Sequence, residues 1–372
     1  MSAVSPVLQR IPGQDQAVAF LSQAATRPHH AYLLAGPEGG GKQLAARAFA
    51  AALLCPDLGC GECRACTLAL AERHPSVFVV EPEGRDIHVD TVRREVWHPA
   101  FRTAPEPGRK VFVIREADRL NPAAADVLLK VLEEPPADSV LLLLSARPDE
   151  IPETVLSRCH VVSFLPLAEP FVAKTLEEEG AAADVALLCA RLAGGNLGRA
   201  RRLASGKDGL SFRDAAREAL DLTAMGPPGA LAAAEAVMAA SSAFRKSLRE
   251  ELPDELAPFL DERGRPEEAF RGVVKRIEER HHRRERRAER DYVDWVLLSV
   301  SSLLRDRVAA GNGARPGLRI NLDLEPGEGS PAGAARAMGA IEEARAALAD
   351  ETNLNVRLVL EDAFLKVSAL AA

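Results

Sequence analysis

Short, unbroken apolar runs alternate with stretches of helical periodicity through the first half of the chain, and the apolar runs stop at Leu167. Tyr32–Ala35, Val77–Val80, Val111–Ile114 and Ser139–Ala146 are too short for independent helices and mostly apolar on both faces, the composition of buried parallel strands. VVSFLPL alternates and leaves through a proline, which predicts an edge strand. Between them lie helical segments. IPGQDQAVAFLSQAATRP places Ala17, Phe20, Leu21 and Ala24 on one face, and a second helix opens at Lys42. Asp90–Trp97 starts another, with Asp90 or Thr91 near its cap. NPAAADVLLKVLEEPP begins at an Asn-Pro signal and is ended by two prolines.

This alternation predicts an α/β fold, a mostly parallel sheet covered on both faces and complete near Pro166. AEPFVAKTLEEEG, ADVALLCARLAGG and NLGRARRLAS then predict a small helical lid, and the remainder is also helical but too long to belong to it. The expected domains are residues 1–166, 167–208 and 209–372. KDG, GPPG and the excursion GNGARPGLRINLDLEPGEGSPAG interrupt the last part, and the turn APEPGRK precedes the third strand.

Composition supports this division. At 372 residues the chain is long for one core, and 47% AVILMFWYC with 4% aromatics predicts cores that are mainly aliphatic. The formal net charge of −7 supplies no global attraction to nucleic acid or an anionic membrane, so such contacts have to be local or shared with partners. The first residues carry no basic-then-apolar signal, and no window approaches about 18 apolar residues, so the expectation is a cytosolic protein with no membrane contact. The run Arg271–Arg290 holds nine Lys/Arg against four Glu. On a helix this predicts a solvated face of i,i+4 ion pairs, the alternative being a docking or nucleic-acid surface.

Three clusters carry candidate chemistry. Gly36, Gly39, Gly41 and Lys42 follow a strand and open a helix, the arrangement in which backbone N–H groups surround phosphate oxygens and a lysine reaches the outer phosphates. Gln43 stands where such loops need a hydroxyl for Mg²⁺. Glu116 and Asp118 follow the VFVI strand, where nucleotide hydrolases place a pair of acids, but Arg115 occupies the first acidic position and leaves Glu116 alone of that pair. Cys55, Cys60, Cys63 and Cys66 lie within twelve residues, a spacing suited to a structural Zn²⁺ with all four positions filled by protein. An iron–sulfur cluster or free thiols are the alternatives. Cys159 and Cys189 are expected to fill core space.

Taken in order, HHAYLLAGPEGGGKQLAARAFA, CPDLGCGECRAC, VFVIREADRLNPAAADVLLKVLEEPP and LSRC resemble the delta-prime family of bacterial DNA polymerase III clamp-loader subunits, within the AAA+ ATPases. The resemblance is tight over the first two expected domains and rests on length and helicity in the third. It implies an AAA+ module, a lid and a helical collar in a pentameric ring with gamma/tau and delta subunits, which loads the sliding clamp onto primed DNA at the replisome in the cytoplasm. It further implies that Arg158 acts in trans as an arginine finger, that Ser145 and Arg199 are sensor residues, and that Glu116 poises water. Gln43 and Arg115 depart from the active pattern at two Mg²⁺-associated positions, so the chain's own ATPase is expected to be weak or absent, with ATP or ADP binding still open. A catalytic gamma/tau-type subunit and a purely structural ring scaffold are the alternatives.

Overall fold

The structure is a computed structural model that describes residues 5–82, 86–103, 108–204, 211–259, 265, 271–327, 329–350 and 354–371. The chain divides into two units, Met1–Ala200 and Arg201–Ala372.

In the first unit, β1 (Ala31–Ala35), β2 (Val77–Val80), β3 (Lys110–Ile114), β4 (Ser139–Ser145) and β5 (His160–Ser163) form one sheet. Its order is β2-β3-β4-β1-β5 and every pairing is parallel. α1 (Asp15–Thr26) leads into the first strand, and the helices between strands are α2 (Lys42–Leu54), α3 (Arg64–Leu70), α4 (Val89–Val92), α5 (His98–Ala100), α6 (Pro122–Glu133) and α7 (Glu153–Leu156). Successive β1 residues point to opposite faces, so Tyr32 and Leu34 join Leu21 and Phe49 in one core while Leu33 joins Val96, Leu128 and Val131 in the other. Both faces are therefore covered. This is why β1, β3 and β4 read as continuous apolar runs rather than as alternation.

Three local features differ from the sequence pattern. The buried face of α1 is Ala17, Val18, Leu21, Ser22 and Ala25, and Phe20 is 40% exposed, where it meets Tyr32 and His160 at the sheet edge. After α4, whose first turn holds Asp90 and Thr91 just beyond the capping position His88, Arg93–Trp97 winds as a π-helix. Val92, Val96 and Ala100 are all fully buried. Residues four apart drift by about 40° per step in α geometry, and the wider π turn keeps them aligned on the core. β5 stops at Ser163 because the Leu165 N–H donates to Gln14 Oε1 at 3.2 Å and Pro166 has no N–H to offer. KDG and residues 104–107 of the APEPGRK turn lie outside the described residues.

The unit continues with α8 (Glu169–Glu178) and α9 (Ala183–Ala193), then enters α10 (Leu197–Ala204). The turn after α9 is built on Gly194 and Gly195, both at positive φ, and a Cβ on Gly195 would fall 2.8 Å from the Leu167 carbonyl oxygen. Only glycine fits that approach.

The second unit contains α11 (Ser211–Thr223), α12 (Pro227–Leu256), α13 (Arg271–Gly311), α14 (Pro331–Asp350) and α15 (Val356–Ala371), with no strand among the described residues. Gly226 and Pro227-Pro228 thus mark the break between α11 and α12 and start the latter. On the basic stretch of α13 the described Glu285 and Glu289 pair across to Arg249 and Arg245 of α12 and tie the two helices together, while most of the Lys/Arg side chains on which the i,i+4 expectation rests lie outside the described ones. The excursion before α14 is tied down by Asp306, 2% exposed, which accepts the Ile320 and Asn321 N–H groups at 2.9 and 2.7 Å. No helix among the described residues is long and apolar enough to cross a membrane.

Candidate functional site

The four cysteines come from the end of α2, the following turn and the start of α3. Cys55 follows α2, Cys63 caps α3, and Cys66 lies inside its first turn. Their sulfur atoms all lie within 4.8 Å of one another, with Cys55–Cys60 at 3.8 Å, Cys55–Cys63 at 3.7 Å and Cys60–Cys66 at 4.0 Å. A tetrahedron of thiolates about 2.3 Å from a central zinc has edges of about 3.8 Å, so the spacing suits a four-coordinate metal. It is far too wide for disulfides. Cys60 and Cys63 each accept a backbone N–H at 3.4 Å, from Cys63 and Cys66 respectively, which orients the sulfur lone pairs in the turn. The N-terminal segment backs the module: the Val7 N–H donates to the Gly59 carbonyl, and a Cβ on Gly59 would meet Ser5 and Val7 at 2.6 Å. The cluster can hold a metal ion and leaves no protein-free position on it.

The glycine-rich loop lies at the carboxyl end of β1, beside β4, with the Gly36 N–H bonded to the Ser145 carbonyl at 3.2 Å. Gly36, Gly39 and Gly41 all have positive φ. Lys42 is buried, and its ammonium donates to the Gly36 and Pro37 carbonyls. Burial lowers its pKa, against the opposing pull of Glu38 and Asp118. Gln43 is exposed at the start of α2. Two side chains that the sequence reading did not single out bear on this loop. Gln14 donates to the carbonyls of Gly40 at 3.0 Å and Leu165 at 2.6 Å, tying the loop to the segment after β5. Asn196 accepts the Arg199 N–H at the start of α10 and covers Gly39, where a Cβ would fall 2.0 Å from its Cγ. Arg199 is thereby set in the first turn of α10. The signal for Asn196 was a capping residue three positions before Arg199; nothing in the pattern marked Gln14.

At the end of β3 the acidic residues separate. Glu116 takes a left-handed conformation, φ 49°, and pairs with Arg119 at 2.9 Å. Asp118, with its side chain 5% exposed, is the acid brought to the sheet end: it accepts the Ser145 hydroxyl at 2.6 Å and Arg147 at 3.2 Å. Arg115 turns aside to Glu72 and Glu81, and Glu72 also holds Arg47 of α2 at 2.8 Å. The positive charge of Arg115 therefore goes into a clasp between the sheet, α2 and Glu72 just after α3.

Burial by itself raises the Glu72 carboxyl, and hydrogen bonds and charge from Arg47 and Arg115 more than offset it, holding it below the ordinary 4.5. A depressed carboxylate contributes stability above its unfolded value and loses it as pH falls through the folded value. Arg115→Met is thus expected to lower the unfolding free energy by about 1–3 kcal/mol at neutral pH. That gap should shrink below pH 4.5, the range where Glu72 protonates. Denaturant titrations of both proteins at neutral and acid pH check it; an equal gap at both would remove Glu72 as the cause.

The family profile described as "DNA polymerase III, delta subunit" matches residues 13–168. DNA polymerase III subunit delta' of Pseudomonas aeruginosa is 44% identical over 185 residues, covering 47% of this chain and 55% of that protein. The first half of the chain is thus similar in sequence to DNA polymerase III delta-prime and gamma/tau subunits. Subunit delta' of Escherichia coli is 36% identical over 192 residues, covering 50% of this chain and 57% of that protein. Subunit gamma/tau of Mycobacterium tuberculosis is 34% identical over 199 residues, covering 50% of this chain and 34% of that protein. The chain spans about half the length of the delta-prime relatives it matches.

The profile match takes in the glycine-rich loop, the cysteine module, the β3 end and Ser157-Arg158-Cys159, and it ends before Asn196 and Arg199. Within this homologous half, Arg158 stands on the loop between α7 and β5, away from the cluster of Lys42, Asp118 and Ser145 in chain position and in bonding. Its side chain is 36% exposed, and it donates to the Thr154 carbonyl and to Glu133, each at 2.8 Å. Cys159 beside it is half-buried, and burial pushes its thiol up to about 12, consistent with a core filler that stays protonated. Cys189 is fully buried in α9.

Proposed function

We propose that the chain acts as a delta-prime-type subunit of a DNA polymerase III clamp loader, joining gamma/tau and delta subunits in a ring that places the sliding clamp on primed DNA. In this reading it supplies Arg158 to a neighbouring ATPase subunit. The observation that carries it is an imbalance within one chain. Arg115, at an Mg²⁺-associated position, is committed to Glu72 and Glu81, while Arg158 is held at the surface of another loop. A site that has given up its first acid yet keeps an exposed arginine suits a subunit that serves another's chemistry. Residues 1–166, 167–208 and 209–372 then serve as AAA+ module, lid and collar, and the four cysteines hold a structural Zn²⁺. The setting is the cytoplasmic replisome.

The test is reconstitution. Mixed with gamma/tau, delta, clamp and primed DNA, the chain should enter a pentameric ring resolved by native mass spectrometry and raise clamp loading well above that of the mixture lacking it. Failure to enter the ring would defeat the reading.

The catalytic alternative is favoured by the retained Gly36–Lys42 loop and the gamma/tau homology. For the isolated chain we expect little or no Mg²⁺-dependent ATP hydrolysis, because Gln43 offers no hydroxyl and Arg115 no carboxylate to the metal. Phosphate-release assays decide this. Sustained turnover abolished by Lys42→Ala would make the catalytic reading correct, whereas calorimetric ATP or ADP binding without turnover is compatible with the delta-prime role.

A further inference from the structure

We propose that Glu133, in the last turn of α6, is the positioning residue for Arg158, holding the guanidinium where a neighbouring subunit's nucleotide phosphates meet it. The proposal rests on the finger reading above and adds to it a residue that does not itself touch nucleotide.

Arg158 sits on a surface loop, where an arginine has many rotamers and an isolated exposed ion pair contributes little to stability. Its guanidinium is nevertheless held from two sides. Nη1 donates to the Thr154 carbonyl at 2.8 Å, and Nη2 to Glu133 Oε1 at 2.8 Å. Both anchors stand on fixed backbone. Val131 and Leu132 of α6 and Val155 of α7 are buried in the same core, so Glu133 and Thr154 are presented at a set separation. Pro135 and Pro136 end the helix just beyond Glu133 and keep its last turn short.

Glu133 is poorly placed for helix stability. A carboxylate in a last turn faces the negative end of the helix dipole, where a cation is preferred. Its contact with Arg158 gives the position a physical use: two anchors on two packed helices define both the direction and the plane of the guanidinium. Each terminal nitrogen of arginine carries two hydrogens, so the contact to Glu133 leaves a second N–H on Nη2 for a phosphate oxygen. Preorienting that group removes rotational freedom before the partner arrives, which is the form of positioning that acts on the chemical step.

The experiment uses complete rings containing the chain as wild type, Glu133→Gln, Arg158→Ala or the double variant, with clamp- and DNA-stimulated ATP turnover measured across ATP concentrations. Glu133→Gln is expected to lower kcat about 3-fold to 10-fold with KM for ATP unchanged, the split expected of positioning rather than nucleotide binding. In the Arg158→Ala background it should have no further effect, and the metal content and thermal midpoint of Glu133→Gln should match wild type. If Arg158→Ala itself leaves turnover at the wild-type level, the finger reading fails and takes this proposal with it. If Arg158→Ala lowers turnover while Glu133→Gln does not, the finger stands and the role of Glu133 alone is overturned. An equal loss from Glu133→Gln in the presence and absence of Arg158 would assign Glu133 a general structural role, and a rise in turnover would make it a restraint; either result overturns the proposal.

Discussion

Rings carrying Arg158→Ala are expected to hydrolyse ATP at the adjacent gamma/tau site at least about 10-fold more slowly than wild-type rings, a floor well below the roughly 10³–10⁵ that an arginine finger can supply. The effect should be large because guanidinium charge stabilises phosphate oxygens in the transition state within a site from which water is largely excluded. It should be confined to chemistry. Arg158 lies outside both apolar clusters of the sheet, and its side chain is 36% exposed, so alanine leaves the cores and the cysteine module intact. Stimulated turnover should be measured at saturating ATP in rings shown by mass to contain the variant, with only the adjacent site competent. Arginine-to-lysine should restore little, since an ammonium keeps the charge but not the planar fork. Wild-type turnover in such rings would favour a passive scaffold and end the finger assignment.

Cys63→Ser is expected to have the second large effect, loss of about one equivalent of zinc together with a marked fall in stability of the first unit. Cys63 contributes twice: its sulfur is part of the cluster, and it accepts the Cys66 N–H at the start of α3. The cluster is also continuous with the core. Cys55 and Cys66 are 5% and 0% exposed and pack with Leu8, Phe49 and Ala69. Without metal, four thiols held within 4.8 Å of one another lose their common partner, and the turn carrying them can open. Structural zinc is coupled to folding on the scale of about 10 kcal/mol in isolated modules, and even a fraction of that would lower the thermal midpoint by about 10 °C in a unit of this size. Metal analysis of reduced protein prepared without added zinc, with thermal unfolding of both forms, checks the expectation. Folded, reduced, metal-free wild type would remove the metal altogether; iron in place of zinc would keep the site and change its occupant.

Much of the fold was legible because its signals are local. Three buried parallel strands, β1, β3 and β4, announce themselves as short apolar runs, since both faces of the sheet are covered there, β2 carries a similar run half-buried at the sheet edge, and α6 carries its own start in Asn121, whose side chain accepts the Ala124 N–H at 2.8 Å. The cysteine site was equally legible, as all four ligands come from one continuous segment. Where competing geometries share a pattern, the reading slipped. The helical face of α1 turned toward Val18 and Ser22 because Phe20 finds aromatic neighbours at the open edge of the sheet.

The sequence by itself determined the order of elements, the parallel sheet, the glycine-rich loop at a strand end, the four-thiol cluster and the departures at Gln43 and Arg115, because each depends on residues close in the chain. Only the tertiary structure decided how those residues are used. Asp118 rather than Glu116 joins Ser145, since the left-handed Glu116 directs its carboxylate to Arg119. Arg115 meets Glu72, 43 positions away, and Gln14 meets Leu165, 151 positions away. Arg158 is anchored by Glu133 across 25 positions. Such contacts are set by the packing of strands and helices against one another, and no periodicity or spacing along the chain encodes the distance between side chains that the fold brings together.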